Sequence, residues 1–340
     1  MKILYGVQGT GNGHVSRSTR IIDRLQQCGA SVDVLFSGCE TDKIYEKEII
    51  RTAGFYKGFT FCINAGAINV AATIRQLSPL KFVSDVRSLD LKGVDLIITD
   101  FEPVTALAAR IHGIPSIGIG HQYAFSYDIP VAAHSFWPLL LTRNFAPAGT
   151  AIGMHWHHFN QPILPPVIPE KVKASDMCDP SLIVVYLPFE HKKHIAGLLK
   201  PFSDYRFTVY AGGTGEKAVQ EGNIAWHPFS KTTFYRDLAR CSGVICNAGF
   251  ELPSEALFLG QKVLVKPLKG QFEQASNGLA MDRLQLGSVM ERLEKKAVAR
   301  WLDKPDAKRL NFPEVADLIA QWVMNGDWKQ IAPLVSKAWQ

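Results

Sequence analysis

The residues whose types and spacing can do chemistry begin with GTGNGHVSR, residues 9–17, just after the apolar run KILYGV. Gly11, Asn12 and Gly13 form a turn poor in side chains, His14 follows it, and Arg17 stands one helical turn further on. An imidazole titrates near neutrality, as a general base should. Such a base needs an orienting group. Asp100, in the stretch DFEP after an apolar run, is the first candidate and Glu102 the second. A carboxylate bonded to one ring nitrogen fixes the tautomer and stabilises the imidazolium. Arg17 suits a phosphate or an acidic acceptor as well as it suits solvent, and a purely structural role for His14 in the turn stays open at this level.

A glycine turn after a first strand is also how dinucleotide-binding enzymes hold a pyrophosphate. In the G-x-G-x-x-G pattern Gly9 and Gly11 fill the first two places, but the third falls on His14. That third glycine lets helix and strand pack closely, which an imidazole prevents. The second strand-like run ends Phe36-Ser37-Gly38 with no acid for a ribose, and no G-K-S/T sequence supplies a phosphate loop.

Elements must hold these residues in place. Short apolar runs predict strands at Lys2–Val7, Ser31–Phe36, Phe55–Phe61, Asp95–Thr99, Pro115–Gly120 and Ala151–Trp156, with helices over 14–28, 67–88 and 103–112 between them. The alternation implies βαβ units on a parallel sheet. Five prolines within Gln161–Pro180 cannot sustain a helix or a central strand and mark a linker. Beyond it, strands at Leu182–Leu187, Arg206–Ala211, Asn223–Trp226, Gly243–Cys246 and Lys262–Val265 alternate with helices over 191–200, 231–240, 252–259, 271–285, 294–302 and 313–324. The expected fold is α/β, with two tandem doubly wound sheets. One domain covers 1–160, the linker 161–180, a second domain 181–325, and a terminal helix over 326–340 packs back on the first. Ligands in such sheets bind outside the carboxyl ends of the strands.

Composition narrows the classes. The 340 residues are 47% hydrophobic and 20% charged, as in a globular protein. No apolar run reaches the roughly 18 residues of a membrane span and no secretory leader is visible, so the chain is expected in the cytoplasm. Six cysteines, Cys28, Cys39, Cys62, Cys178, Cys241 and Cys246, show no CxxC pair and argue against a disulfide framework. The net charge of +6 is spread without a basic run. It suits an anionic small substrate or a bilayer surface, and no nucleic-acid partner is expected.

Four further pieces stand at expected strand ends or helix starts: Trp226-His227-Pro228-Phe229, Asn247-Ala248-Gly249-Phe250-Glu251, Ser254-Glu255-Ala256, and Gln271-Phe272-Glu273-Gln274 with Asn277. Here the chain resembles the nucleotide-sugar glycosyltransferases of the GT-B fold. The similar group is the inverting one, which includes the UDP-glycosyltransferases and the lipid II pathway N-acetylglucosaminyltransferase. Their donor signature runs W-x-P-Q, H-C-G-W-N-S-x-x-E and P-x-x-x-D/E-Q-x-x-N. Trp226 and Pro228 stand in the first block, Gly249 and Glu255 in the second, and Pro267, Glu273, Gln274 and Asn277 supply residue types of the third. The N-terminal turn resembles the family's acceptor-side GGTGGH motif, with His14 in the base position.

The resemblance implies transfer of a sugar, with inversion, from a nucleoside-diphosphate sugar to a hydroxyl of a glycan, lipid or small molecule. A UDP-sugar is the expected donor, and cell-envelope or glycolipid synthesis the expected setting. His14 would be the base with Asp100 behind it, and Gly11, Asn12, Gly13, Arg17 and Glu102 would lie on the acceptor side. Trp226, Phe229, Asn247, Gly249, Phe250, Glu255, Glu273, Gln274 and Asn277 would hold the donor. A helix start at Gly249–Pro253 would meet the diphosphate with free N–H groups, Glu255 the ribose hydroxyls, and Glu273 with Gln274 the donor sugar. Acids in a first helical turn are also favoured by the dipole alone. No cofactor or metal is implied, because fixed dipoles meet the leaving charge. A non-hydrolysing nucleotide-sugar epimerase and a nucleotide-sugar-binding regulator without turnover are the alternatives.

Several positions depart from the family pattern. Asn247 replaces His and Phe229 replaces Gln. Leu187-Pro188-Phe189-Glu190 stands where a Gly-Ser turn is usual, and Gly212-Gly213-Thr214 is the expected substitute. Glu251 adds a carboxylate that repels a diphosphate unless it turns away. His155, His157 and His158 are expected at a cleft edge or in the core, and His191 with His194 lack a third metal ligand. FWPLLLTR, Phe136–Arg143, reads as a buried helix, with bilayer contact beside Arg143 as the other option. Trp322, Trp328 and Trp339 are expected to pack the terminal helix on the first domain.

Overall fold

The computed structural model describes residues 1–38, 54–58, 63–64, 67–68, 78–132, 136–175, 177–210, 217–305 and 307–340. Gly212-Gly213-Thr214, Cys39, Cys62 and most of the expected helix before Ser78 lie outside the described residues.

The N-terminal sheet is built from β1 (Lys2–Gln8), β2 (Ser31–Ser37) and β3 (Gly54–Tyr56), then β6 (Leu96–Asp100), β7 (Ser116–Gly120), β8 (Thr150–Met154) and β9 (Ile163–Leu164); β4 (Ile63–Asn64) and β5 (Ala67–Ile68) form a separate antiparallel hairpin. The sheet order is β3-β2-β1-β6-β7-β8-β9, with every pairing parallel. Helices α1 (Asn12–Gln27), α2 (Pro79–Arg87), α3 (Pro103–His112) and α4 (Phe136–Phe145) belong to this half. A short 3-10 helix, His121–Ser126, follows β7.

The C-terminal sheet comprises β10 (Asp179–Tyr186), β11 (Arg206–Tyr210), β12 (Val219–Glu221), β13 (Ile224–His227), β14 (Cys241–Asn247), β15 (Lys262–Lys266) and β16 (Ser288–Val289). Its order is β12-β13-β11-β10-β14-β15-β16, parallel except for the edge strand β12. Helices α5 (Lys192–Leu199), α6 (Lys231–Arg240), α7 (Glu251–Leu259), α8 (Phe272–Arg283) and α9 (Lys295–Leu302) accompany it. Strand order reverses between β1 and β6 in the first sheet and between β10 and β14 in the second. A sheet of this kind opens a crevice at the carboxyl ends there.

Period-2 alternation divides the C-terminal strands between two apolar layers. Ile183 and Val185 point with Phe207, Val209, Ile224 and Trp226 toward α5 and α9. Val184, Val244, Cys246 and Val263 point the other way, into a cluster continuous with Ile3, Tyr5, Ile98 and Ile119 of the first sheet. The two halves therefore share one core.

The structure redraws three expected boundaries. The proline-rich stretch 161–180 is not all linker: Ile163–Leu164, flanked by Pro162 and Pro165, pairs with β8 as a two-residue edge strand, its Leu164 carbonyl accepting from His155 N–H at 2.9 Å. Asp179 already belongs to β10. The expected helix over 67–88 is replaced by strand β5 at its start and α2 at its end. The crossing back to the first half begins before residue 326, since α10 (Val315–Asn325) packs along α1 and α11 (Ala332–Ala338) against β9. Arg20 pairs with Glu314 at 3.0 Å and Arg24 with Asp317 at 2.7 Å, while the Trp339 indole donates to the Ile163 carbonyl at 2.7 Å. Among the described residues no helix is long and apolar enough to cross a membrane.

Glu102 is a fully buried helix cap and not a cleft residue. Its carboxyl accepts from the N–H groups of Val104 and Thr105, both at 2.7 Å, from Ser37 Oγ at 2.6 Å and from Thr105 Oγ1 at 2.7 Å. Burial raises its pKa, and these bonds oppose the rise. Glu102→Ala strips all four donors of their partner inside the core. We expect a loss of about 3 kcal/mol in urea unfolding, the sum of a lost cap and unsatisfied buried donors. A loss below about 1 kcal/mol would mean that water replaces the carboxylate.

Candidate active site

The glycine turn runs from the end of β1 to α1. Gly9 N–H bonds the Ser37 carbonyl at 2.8 Å, tying the turn to β2, and α1 starts after Gly11 with no side-chain cap. Its apolar positions Val15, Ile21, Ile22 and Leu25 face the core, which leaves His14 at the crevice.

Asp100 arrives from β6, the neighbour of β1 across the strand-order reversal. The chain turns sharply behind it: Phe101 has φ 54°, a left-handed conformation costly for a bulky residue. The turn is clamped by Thr99 Oγ1, which accepts from Glu102 N–H and donates to the Glu102 carbonyl, each at 2.8 Å. The Phe101 ring lies 5.0 Å from Phe145 and 5.8 Å from Tyr123.

His14 Nδ1 lies 2.8 Å from Asp100 Oδ1. Arg17 donates from Nη2 to Oδ1 at 2.6 Å and from Nε to Oδ2 at 3.1 Å, and Ser18 Oγ donates to Oδ2 at 2.7 Å. Burial would raise the Asp100 pKa, but the Arg17 guanidinium, and after it His14, hold it down at about 2. Asp100 is therefore an ionised acceptor, and His14 Nδ1 must carry the hydrogen between them. Nε2 then keeps its lone pair, and the Gln122 amide N–H approaches it at 3.4 Å. The same amide donates to Glu273 Oε2 at 3.0 Å, so Gln122 spans the cleft between the two halves.

Arg17 is 2% exposed, and solvent plays no part in its pairing. Its Nη1 donates to Glu251, the first residue of α7. The carboxylate expected to repel a diphosphate is thus turned onto a buried guanidinium. Gly13 makes that approach possible: a Cβ there would lie 2.6 Å from Glu251 Cγ.

The cleft encloses about 420 Å³, within the range of small-ligand sites. Gly11, Asn12, Gly13, His14 and Arg17 line one wall. Phe229, Asn247, Gly249, Phe250, Glu255, Glu273 and Gln274 line the other. Helix α7 begins here with no side-chain cap, and nothing lies within 4 Å of a Cβ placed on Gly249. Orphan N–H groups and the positive end of the helix dipole suit an anion. Glu255 sits one turn along, with the Tyr235 hydroxyl donating to its Oε1 at 3.5 Å. Asn247 Nδ2 donates to the Lys266 carbonyl at 3.0 Å, which leaves Oδ1 buried without a partner among the described residues. Gln274 uses its Oε1 to accept from Leu268 N–H at 3.0 Å.

Two expected donor residues do not reach the cleft. Trp226 is 0% exposed because strand parity turns it toward α5 and α9, and its indole donates to Glu221 Oε2 at 3.1 Å. Asn277 is buried behind the wall, donating to the Ala248 carbonyl at 3.0 Å and accepting from His121 Nε2 at 2.6 Å. His121 also lies flat on Phe250, with ring centroids 4.1 Å apart. Sequence reasoning missed His121, Gln122 and the aromatic wall of Tyr186, Phe234 and Tyr235. His121 and Gln122 directly follow a strand's carboxyl end, the position at which such sheets bind ligands. His155 accepts from Trp156 N–H, and the Nδ1 atoms of His157 and His158 accept from Phe159 and Asn160 N–H, so these imidazoles build a turn.

Comparison with known proteins agrees with this architecture. The family model described as glycosyl transferase family 1 matches residues 1–305. A protein of Methanosarcina acetivorans named an uncharacterized glycosyltransferase is 28% identical over 133 residues, 36% of this chain and 32% of that one. The match thus spans about a third of that relative's length. Among solved structures, UGT89C1 of Arabidopsis thaliana complexed with UDP superposes with a TM-score of 0.60 at 14% identity, covering 99% of this chain and 98% of that one. MurG of Acinetobacter baumannii gives 0.57 at 16% identity, covering 95% and 99%. Glycosyltransferase VinC in complex with dTDP gives 0.55 at 13%, covering 99% and 100%. These likenesses carry the fold, the two-sheet GT-B arrangement. The match over residues 1–305 carries the membership: the chain belongs to glycosyl transferase family 1.

Proposed function

We propose that this glycosyltransferase moves a sugar from a nucleoside-diphosphate donor to an acceptor hydroxyl with inversion, using His14 as general base. The observation that carries the reading is the His14 Nδ1 to Asp100 Oδ1 contact of 2.8 Å, on a ring that lines the cleft and whose Nε2 lies 3.4 Å from the Gln122 amide. The acceptor O–H gives its proton to Nε2 while its oxygen forms a bond to the anomeric carbon. The bond from that carbon to the phosphate oxygen breaks on the opposite side, and the nucleoside diphosphate leaves toward the start of α7. Helix N–H groups meet the leaving charge there, so the reaction needs no metal ion.

The N-terminal half receives the acceptor beside Gly11 and Asn12. The C-terminal half holds the donor: diphosphate at Gly249, ribose at Glu255, nucleoside base against Tyr186 and Phe229, and sugar hydroxyls at Glu273 with Gln274. The neighbours solved with UDP and dTDP support a nucleoside diphosphate, with a UDP-sugar the first to try. A glycan, lipid or small molecule would serve as acceptor, lipid-linked ones at the surface of a bilayer.

A thermal-shift screen against UDP-, GDP- and dTDP-sugars tests the donor assignment. One of them at a hundred times its Kd should add about 2.7 kcal/mol of stability. A flat response to all three would sink the donor assignment.

A further inference from the structure

Arg17 lies between carboxylates from the two halves of the chain. Asp100 of β6 takes two of its N–H groups, and Glu251 of α7 takes a third. His14 shares Asp100 Oδ1 with this guanidinium, and Arg17 Nη2 lies 3.2 Å from His14 Nδ1. Within the N-terminal half alone Asp100 and Arg17 cancel, so the imidazole faces a neutral pair. With Glu251 docked the three groups sum to one negative charge.

We propose that Glu251 is a positioning residue that charges the base from the opposite half: by neutralising Arg17 it leaves the negative charge of Asp100 to the His14 imidazolium. The inference rests on the reading of His14 as the base. When the acceptor proton moves to Nε2, positive charge forms on a ring that is 14% exposed beside an arginine that is 2% exposed. A charge is weakly screened in such a place. Glu251 offsets the guanidinium there without touching the reacting atoms.

Other charged groups approach His14 less directly. Glu273 of α8 reaches it through the Gln122 amide. His121, on the 3-10 helix, has Nδ1 against the Met154 carbonyl and Nε2 against Asn277 Oδ1. The sequence makes room for the docking of Glu251 in particular, because any side chain at position 13 would collide with its Cγ. Strength of the base therefore depends on how the two halves meet.

Two variants separate charge from shape. Glu251→Gln keeps the volume and an acceptor for Arg17 but removes the charge, whereas Glu251→Asp keeps the charge at shorter reach. The His14 ring is followed by ¹H–¹³C NMR in ring-labelled protein, its signal assigned by its loss in His14→Asn and folding checked by circular dichroism. The midpoint of its titration should fall by about one pH unit in the Gln variant, and by roughly half of that or less in the Asp variant. An unchanged midpoint in Glu251→Gln overturns the proposal. A larger fall in the Asp variant than in the Gln variant also overturns it, since that marks a steric clamp. The measurement needs no substrate, so it stands apart from the base reading. Full activity in His14→Ala would defeat that reading, while an unshifted midpoint beside an inactive His14→Ala enzyme defeats the charge coupling alone.

Discussion

Replacing His14 with alanine is expected to lower turnover at least a hundredfold while leaving donor binding nearly intact. The magnitude follows from what a positioned base contributes to proton transfer, about 10² to 10⁴ in rate. His14 stands on α1, and the residues assigned to the donor all stand in the C-terminal half, at the ends of its strands and on α7 and α8. The substitution therefore removes the proton acceptor without touching the expected diphosphate or ribose contacts. Nucleoside diphosphate release, measured with whichever donor stabilises the protein, gives kcat. The thermal shift with UDP gives binding in the same variant. A mutant with full rate places the base elsewhere in the cleft, and a mutant that loses UDP binding makes His14 a donor residue.

Asp100→Asn should cost two to three orders of magnitude in kcat and remove a distinct pH dependence of stability. The asparagine is isosteric, but its Nδ2 hydrogens meet Arg17 N–H or Ser18 O–H where a carboxylate accepted both. His14 loses the acceptor that fixes its tautomer and the charge that balances an imidazolium. The stability effect has a definite sign. In the folded protein Asp100 stays ionised down to about pH 2, whereas its usual value is 3.8. It therefore contributes stability above about pH 4 that is lost as the pH falls toward 2, an effect of ~2 kcal/mol. The parent should lose that increment across the window relative to Asp100→Asn in urea melts. At neutral pH the variant should be less stable by at least as much, since Arg17 is left buried with one carboxylate. Parallel curves for the two proteins between pH 4 and 2 would remove Asp100 from the acid-sensitive groups.

Local patterning determined a good deal of this protein. The alternation of apolar runs and amphipathic stretches carries both sheets, because a strand's period and a helix's period are properties of neighbouring residues. Helix α3 lies at Pro103–His112, where Pro at its first position and Gly113 after it mark the ends. The glycine turn with its misplaced third glycine singled out His14, and the resemblance to a donor signature picked out Gly249 and Glu255 at one helix start.

The tertiary structure decided what no local pattern contains. Whether Trp226 faces a cleft or a core depends on which face of its sheet is covered by helices, and α5 and α9 cover the face it points to. Glu102 and Asp100 are two residues apart and both acidic, yet the turn at Phe101 sends one into a helix cap and the other to His14. Arg17 meets Asp100 across 83 residues and Glu251 across 234. Gln122 joins His14 to Glu273 from a 3-10 helix that no periodicity announces. The sequence by itself determined the elements, the base candidate and Asp100 as its first expected partner; the contacts of Arg17 with Glu251 and of Gln122 with Glu273 were decided by the way the two halves meet, since charge and hydrogen bonding act through distance in space and not along the chain.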